Sequence, residues 1–459
     1  MDDGARALGS DDGRDDALND AQAAAVAHVD GPLLVFAGAG SGKTRVITYR
    51  IANLVARHHV PPYRILSVTF TNKAAGEMRE RLDRLLGHEL ARDLWVGTFH
   101  ATCARLLRRH HDAVGLKKDF VIYDDADQRS LMNKVVKALG IDDKRFPPRM
   151  LLAAIHKHKQ EARQPGDVIA KSSVDEAVVK AFTGYEAAMR QASACDFDDL
   201  LLHVLRLVEL PAPERGSDPD LRHQVGATLR RMFSFVLVDE FQDTNAVQYR
   251  LVRALVSEHE SGGNLCVVGD DDQSIYRWRG ADVRNIRGFS RDFPNAMVVK
   301  LEENYRSTKR IVRAALGVIS PSRQRVPKNL FTDNEEGSLI EVRSATDERD
   351  EASQLARLVD ARLREGWSRR EMAILYRTHA QSRVLEEELR RARIPYRIVG
   401  GLRFFDRAEV KDLLAYLRLV VNPTSDVDLL RILNVPARGI GATTVERVQA
   451  RANQQALPM

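Results

Sequence analysis

Residues 33–48, LLVFAGAGSGKTRVIT, pass from an apolar run through a loop of small residues into Gly42-Lys43-Thr44 and on into a helical pattern. These residue types suit a polyphosphate. The small side chains of Ala37, Gly38, Ala39, Gly40, Ser41 and Gly42 let backbone N–H groups converge on phosphate oxygens, and the helix that follows adds the positive end of its dipole. Lys43 is spaced to reach the terminal phosphates and the Thr44 hydroxyl to ligate Mg²⁺. Strict GxxxxGK[ST] spacing has glycine where this chain has Ala37, another small residue. A glycine turn with an incidental lysine is the competing reading, and it leaves the strand before and the helix after unexplained.

A second chemical element is FSFVLVDEFQDTN, residues 233–245, a β-type run ending in Asp239-Glu240. Carboxylates at the carboxyl end of a strand beside a phosphate-loop strand suit a metal and an attacking water. Asp239 is expected to hold the metal and Glu240 to orient and deprotonate the water. A lone acidic turn at the end of a strand is the alternative. A third element, VVGDDDQSIYRWRGAD at 267–282, crowds Tyr276, Trp278 and Arg279 into four positions. Aromatic faces stack on any base, so the cluster suits sequence-neutral single-strand binding; a core tryptophan is the alternative.

These blocks, with LNDAQ (18–22), TFTNKAAGEM (69–78), GTFHA (97–101) and ENYRS (303–307), closely resemble the UvrD/Rep/PcrA group of superfamily 1 DNA helicases. The likeness continues less specifically through 394–419 and RGIGATT at 438–444. It implies ATP and Mg²⁺ as cofactors, with single-stranded DNA and single/double-strand junctions as partners. The expected activity is 3′→5′ translocation and unwinding in repair or replication restart, alongside unidentified repair or replication proteins. The resemblance also implies that Gln22 reads the adenine edge, Arg45 and Tyr305 sandwich the ring, Gln273 senses the γ-phosphate, and Arg306 is an arginine finger from a second RecA-like domain. Phe70, Asn72, Thr98, Phe99 and His100 would line the strand channel, and Gly439 and Gly441 would let duplex backbone approach closely. From the residues alone, an ordinary exposed helix glutamine is the favoured reading of Gln22, and Phe70 and Phe99 read equally as core. The helix 101–111 reads equally as a solvated basic face.

Positioning these groups requires α/β layering. Apolar runs at Leu33–Phe36, Ile65–Phe70, Trp95–Phe99, Phe235–Asp239 and Leu265–Gly269 predict strands of a mostly parallel sheet. Helical patterns at 126–139, 150–161, 174–190 and 197–209 predict an insertion that splits it. A second βαβ series is expected from strand Met297–Leu301 onward, with strands at 339–343, 372–376 and 396–399. The fold class is therefore α/β, a P-loop NTPase with tandem RecA-like domains and helical insertions. The expected division is an acidic disordered segment at 1–16, a first RecA-like domain at 17–110 and 196–295, and an insertion at 111–195. The first part of a second RecA-like domain follows at 296–397 and the start of a second insertion at 398–459. Two blocks that follow the second insertion in the family are not in this sequence. The expectation is a truncated second domain, and with it an alternative activity: binding ATP and single-stranded DNA without unwinding.

Composition sets the outer bounds. The length of 459 residues allows about three domains. A hydrophobic fraction of 44% supports real cores, which excludes wholesale disorder. No apolar run approaches the roughly 18 residues of a membrane span, and the acidic start lacks a signal-peptide pattern, so a cytoplasmic protein without membrane contact is expected. Cys103, Cys195 and Cys266 are scattered, arguing against a disulfide framework or a zinc site. The net charge of +6 hides six Asp and two Arg in residues 1–16, which leaves the body at +10. Spread over so long a chain, that excess fits either a solvated surface or a polyanionic partner; a P-loop ATPase acting on a substrate other than nucleic acid would have to account for the Tyr276–Arg279 cluster.

Overall fold

The computed structural model describes residues 18–211, 219–257, 263–322, 325–399, 408–455 and 457–459. The acidic segment 1–16 and the Gly400-Gly401 pair lie outside the described residues. Two compact units divide the chain, residues 1–337 and 338–459.

The first unit is built on six parallel strands: β1 (Leu33–Ala37), β2 (Ile65–Thr69), β3 (Trp95–Thr98), β6 (Phe235–Val238), β7 (Asn264–Gly269) and β8 (Met297–Leu301), in the order β3-β2-β6-β7-β1-β8. Alternate residues feed two separate cores. Leu34, Phe36, Leu66, Val68, Val236, Val238 and Val267 face one, while Leu33, Val35, Ile65, Leu237, Cys266 and Val268 face the other. A parallel sheet covered on both faces needs apolar residues at every position, which explains why these strands read as continuous runs.

Two expectations are corrected here. The Asp239-Glu240 strand is not the neighbour of the phosphate-loop strand, because β7 lies between β6 and β1. Met297–Leu301 does not open a second sheet. As β8 it pairs with β1 in register Leu33↔Met297 to Ala37↔Leu301. It is an edge strand, with Val299 and Leu301 buried while Val298 and Lys300 face outward. An alternating run of this kind announces a strand but not which sheet it joins.

Between β3 and β6 the chain carries the expected helices, at Asp125–Ala138, Pro148–Gln160, Ser173–Gln191 and Phe197–Val208. A two-stranded parallel pair missing from the sequence reading, β4 (Val121–Ile122) with β5 (Ala194–Cys195), ties the two ends of this excursion together. Lys159, 1% exposed at its side chain, lies 2.8 Å from Asp196, 2.6 Å from Asp199 and 2.8 Å from Glu186. A buried ammonium needs such company, since removing one partner of a buried ion pair costs on the order of 3–5 kcal/mol. The cluster anchors the excursion to the turn that starts helix Phe197–Val208. The three cysteines are free and buried.

In the second unit, helices Glu348–Arg364, Ser382–Arg391, Ala408–Val421 and Asp426–Ile432 form where the helical pattern runs, and a further helix, Ala442–Gln454, follows. The runs expected as strands at 339–343, 372–376 and 396–399 form no strand, and among the described residues none of them joins a sheet. Leu339 (78% exposed), Val342 (95%), Leu375 (94%) and Val399 (79%) stay open to solvent. Apolar content is a local property, whereas a strand exists only if a neighbour supplies hydrogen-bonding partners. Among the described residues no helix is long and apolar enough to cross a membrane.

Candidate nucleotide site and aromatic surface

The helix α1 (Asp20–Ala27) is started by a capping box between Asn19 and Gln22. Its last carbonyls, which have no partner within a helix end, are taken by the next helix, α2 (Lys43–Ala56). Arg50, 1% exposed, donates to the Ala25 and Val29 carbonyls, and Asn53 donates to Val26. With α1 held in this way, Gln22 is itself 1% exposed and its amide donates to the Ser41 carbonyl at 3.0 Å. The surface-glutamine reading is thus set aside.

The loop from Ala37 to Gly42 curls between β1 and α2. Gly40 (φ 67°) and Gly42 (φ 86°) take the left-handed conformation that glycine adopts without strain. Ser41 Oγ donates to the Gly38 carbonyl at 2.8 Å, fixing the turn from within. From outside, β8 delivers ENYRS to the same loop. Gly38 N–H donates to the Leu301 carbonyl, Tyr305 N–H to the Gly40 carbonyl, and the Asn304 amide to the Ala39 carbonyl at 2.5 Å. A Cβ on Gly40 would lie 2.7 Å from the Arg306 Cβ. Arg306 therefore lies against the loop, because β8 runs parallel to β1 and both end at one edge, and it falls within the compact unit 1–337. Asn304, unmarked by the sequence reading, is the staple: its Oδ1 also accepts the Arg306 and Ser307 N–H groups. Tyr305 is 47% exposed, with its hydroxyl shared among Asn19 and Glu303. Partial burial, then Glu303, push its phenol up to about 12, with the Arg45 charge opposing.

Lys43 Nζ lies 2.9 Å from Glu240 Oε2. Glu240 has φ 49°, unusual for a side chain with a Cβ, and this turns it out of the strand toward the lysine. Asp239 is 4% exposed. Burial and then the Glu240 charge push its carboxyl up to about 6, against the opposing Lys43 charge, the Glu240 N–H and the Thr44 hydroxyl. Asp243, also raised by burial and Glu240, to about 7, keeps a buried Oδ1 with no hydrogen-bond partner. Three carboxylates thus surround one ammonium. That surplus of hard oxygen donors, beside the Thr44 hydroxyl, fits a divalent cation such as Mg²⁺.

From Glu240 a hydrogen-bonded chain runs on. Gln242, 1% exposed, donates to Glu240 Oε2 at 2.9 Å and accepts from the Asp270 N–H at 2.9 Å. Asp270 Oδ2 accepts from the Gln273 amide at 2.7 Å. Gln242 and Asp270 escaped the sequence reading; their only signal is membership of the DEFQDTN and GDDDQ blocks.

Beyond Gln273 lies an aromatic ladder. Phe70 and Tyr276 have ring centroids 4.7 Å apart, and Tyr276 and Trp278 are 6.4 Å apart. The Arg279 guanidinium lies 5.3 Å from the first of these Tyr–Trp rings and 4.6 Å from the second. Trp278 is 67% exposed, so it is not core. Asn72 is exposed at the start of helix Asn72–Leu86, while Thr98 caps helix Phe99–Arg109 by accepting the Ala101 N–H. Phe99 is 6% exposed within the core, so the structure decides for its core reading and against a place on the channel wall. His100 packs edge-on against Phe197 at 5.7 Å. Burial holds its imidazole below the usual value, with Asp198 opposing. Phe197, 47% exposed, is the first residue of helix Phe197–Val208, and nothing in its sequence position announces this contact. On helix Phe99–Arg109, Arg105 and Arg109 lie over the Trp95 ring at 3.9 and 5.0 Å, so part of its basic face is packed on an aromatic.

In the second unit, Gly439 has φ 71° and Gly441 opens helix Ala442–Gln454. Arg438 grips the turn before them through the Ile432 and Leu433 carbonyls.

The family model described as the UvrD/REP helicase N-terminal domain matches residues 18–294, and that of the UvrD-like helicase C-terminal domain matches 299–458. The chain belongs to the UvrD/REP helicase family. Its fold class is accordingly the tandem RecA-like P-loop type. The ATP-dependent DNA helicase PcrA of Staphylococcus epidermidis RP62A is 46% identical over 447 residues, and that of Staphylococcus aureus Mu50 is 46% identical over 445. Both alignments cover 96% of this chain and 59% of the relative, so the chain spans well under two thirds of those proteins.

Proposed function

We propose that the protein is an ATP-driven motor that moves 3′→5′ along single-stranded DNA and unwinds duplex at single/double-strand junctions, serving repair or replication restart in the cytoplasm. The observation that carries this reading is the chain of polar contacts from Lys43 through Glu240, Gln242 and Asp270 to Gln273, in the same short segment as half-buried Tyr276 and exposed Trp278. It supports a nucleotide site that reports to a strand-binding surface.

In this reading Gln22, Arg45 and Tyr305 hold the base of ATP, and the 37–44 loop with Lys43 holds its phosphates. Thr44 and Asp239 would hold Mg²⁺, which supplies neutralisation of phosphate charge when bound. Glu240 leaves Lys43 as nucleotide enters, then orients and deprotonates water. Arg306, against Gly40, offsets the charge that develops. Gln273 changes partners with the nucleotide state and moves the Phe70–Tyr276–Trp278 ladder against the bases; Asn72, Thr98, His100 and Phe197 complete that wall. Gly439 and Gly441 let duplex backbone approach.

ATP hydrolysis measured with and without single-stranded DNA tests this. Strong stimulation is expected, and a rate indifferent to DNA overturns the coupling. A second reading draws on the exposed Leu339, Val342, Leu375 and Val399 of the second unit: this chain binds ATP and single-stranded DNA without unwinding. In that case DNA affinity persists while a forked duplex stays intact.

A further inference from the structure

The segment 325–331 follows the chemistry-bearing blocks and was given no role by them. Lys328, its side chain wholly buried, makes ion pairs with Asp270 and with Asp271 at 2.7 Å, and lies 3.4 Å from Asp272. Arg325 reaches Asp272 at 2.8 Å, and the Val326 N–H donates to Asp271 Oδ2 at 2.9 Å. These three aspartates are close enough together to suggest a cation site. The ammonium of Lys328 fills that role. Burial alone would raise Asp271, but its hydrogen bonds from Lys328, Val326 and Arg287 hold it below the usual carboxylate range.

The same short segment touches two other parts of the nucleotide site. Leu330 lies where a Cβ on Gly38 would be, directly against the phosphate loop. Phe331 N–H donates to the Glu302 carbonyl and its own carbonyl accepts the Asn304 N–H at 2.7 Å, so it aligns the residue that staples Arg306 to the loop. Asn329 N–H donates to Glu302 Oε1 at 2.8 Å. Residues 325–331 therefore bridge the phosphate loop, the ENYRS turn and the Asp270–Asp272 run, of which Asp270 orients Gln273.

We propose that Lys328 is a positioning residue, and that the 325–331 strap couples nucleotide at the Gly38 loop to the strand-binding ladder by holding the Asp270–Gln273 turn in register. The proposal rests on the functional reading above and adds a second route to the Gln242 connection. A strap joined to both sites by packed and charged contacts gives the two ligands one shared element to bias, which is what a coupling between their affinities requires.

The test measures the affinity of the full chain for a fluorescein-labelled oligothymidylate by anisotropy, with and without a saturating non-hydrolysable ATP analogue and Mg²⁺. Wild type is expected to show a nucleotide-induced change of about fivefold or more, the usual scale of such coupling. Lys328→Met is expected to bring that ratio to within about twofold of unity while nucleotide affinity itself changes by less than about threefold. Lys328→Arg should restore part of the ratio. Should Lys328→Met not fold, Leu330→Ala and Arg325→Gln loosen the same strap at its other ends and should each lower the ratio. A wild-type ratio retained in the folded variants overturns the proposal, as does loss of both affinities with the ratio intact or a wild-type ratio near unity. Wild type that binds neither ligand would instead remove the functional reading itself.

Discussion

Glu240→Gln is expected to tighten nucleotide binding while it stops turnover. Lys43 is engaged, its Nζ 2.9 Å from Glu240 Oε2, so a phosphate that takes up Lys43 must displace that carboxylate. A charge-assisted hydrogen bond contributes about 1.5–3 kcal/mol, and with Glu240 35% exposed, solvent screening argues for the lower part, about 2 kcal/mol. A neutral amide oxygen retains roughly half of that. The nucleotide then competes against about 1 kcal/mol less, which is about a fivefold lower Kd. The left-handed backbone at residue 240 is strained equally for either side chain, so it cancels from the comparison. Removing the general base should at the same time lower the rate by about 10²–10⁴-fold. A fluorescent-nucleotide titration reads the first effect and phosphate release the second. Nucleotide binding that weakens would show that the Lys43–Glu240 pair is not the barrier to entry, and turnover within about threefold of wild type would remove Glu240 from the role of base.

Trp278→Ala should cost about 1–3 kcal/mol in single-strand affinity, read by anisotropy, and leave the melting temperature unchanged, because a ring 67% exposed contributes little to the core; a large drop in melting temperature would return the ring to a structural role. Gln22→Ala should lower stability by about 1–2 kcal/mol and weaken discrimination of ATP from GTP, since the buried amide both caps α1 and holds the Ser41 carbonyl. Thermal melts and parallel ATP and GTP titrations check the two effects. His203 gives a pH signature: burial and then the Arg206 charge hold its imidazole down to about 4, against an ordinary 6.5 in the unfolded chain. The unfolded chain therefore takes up a proton that the folded chain refuses, and stability falls as pH drops below 6.5. Between about pH 7 and pH 5 the loss is about 2 kcal/mol, and His203→Asn should flatten that part of a denaturant-midpoint profile.

Local chemistry was readable from the chain itself. Gly42-Lys43-Thr44 after an apolar run, Asp239-Glu240 at a strand end, and Tyr276, Trp278 and Arg279 within four positions carry their chemistry in residue type and spacing, because backbone geometry over a few residues is set locally. The six strands of the first unit and most of the helices were readable for the same reason. Which side chains the nucleotide site borrows from afar was not. Asn304, Gln242, Asp270 and Lys328 have no intrinsic signature; an amide or an ammonium in a loop is ordinarily solvated, and only burial against a partner gives it a role. The apolar run of β8 states that it pairs, not with what, and only the fold sets it, with Arg306 just beyond its end, beside β1 and the phosphate loop. The exposed runs at 339–343 and 372–376 make the same point from the other side. A sequence specifies the donors, acceptors and apolar surface along each segment, but pairing is a property of two segments, and only the folded chain decides which two meet.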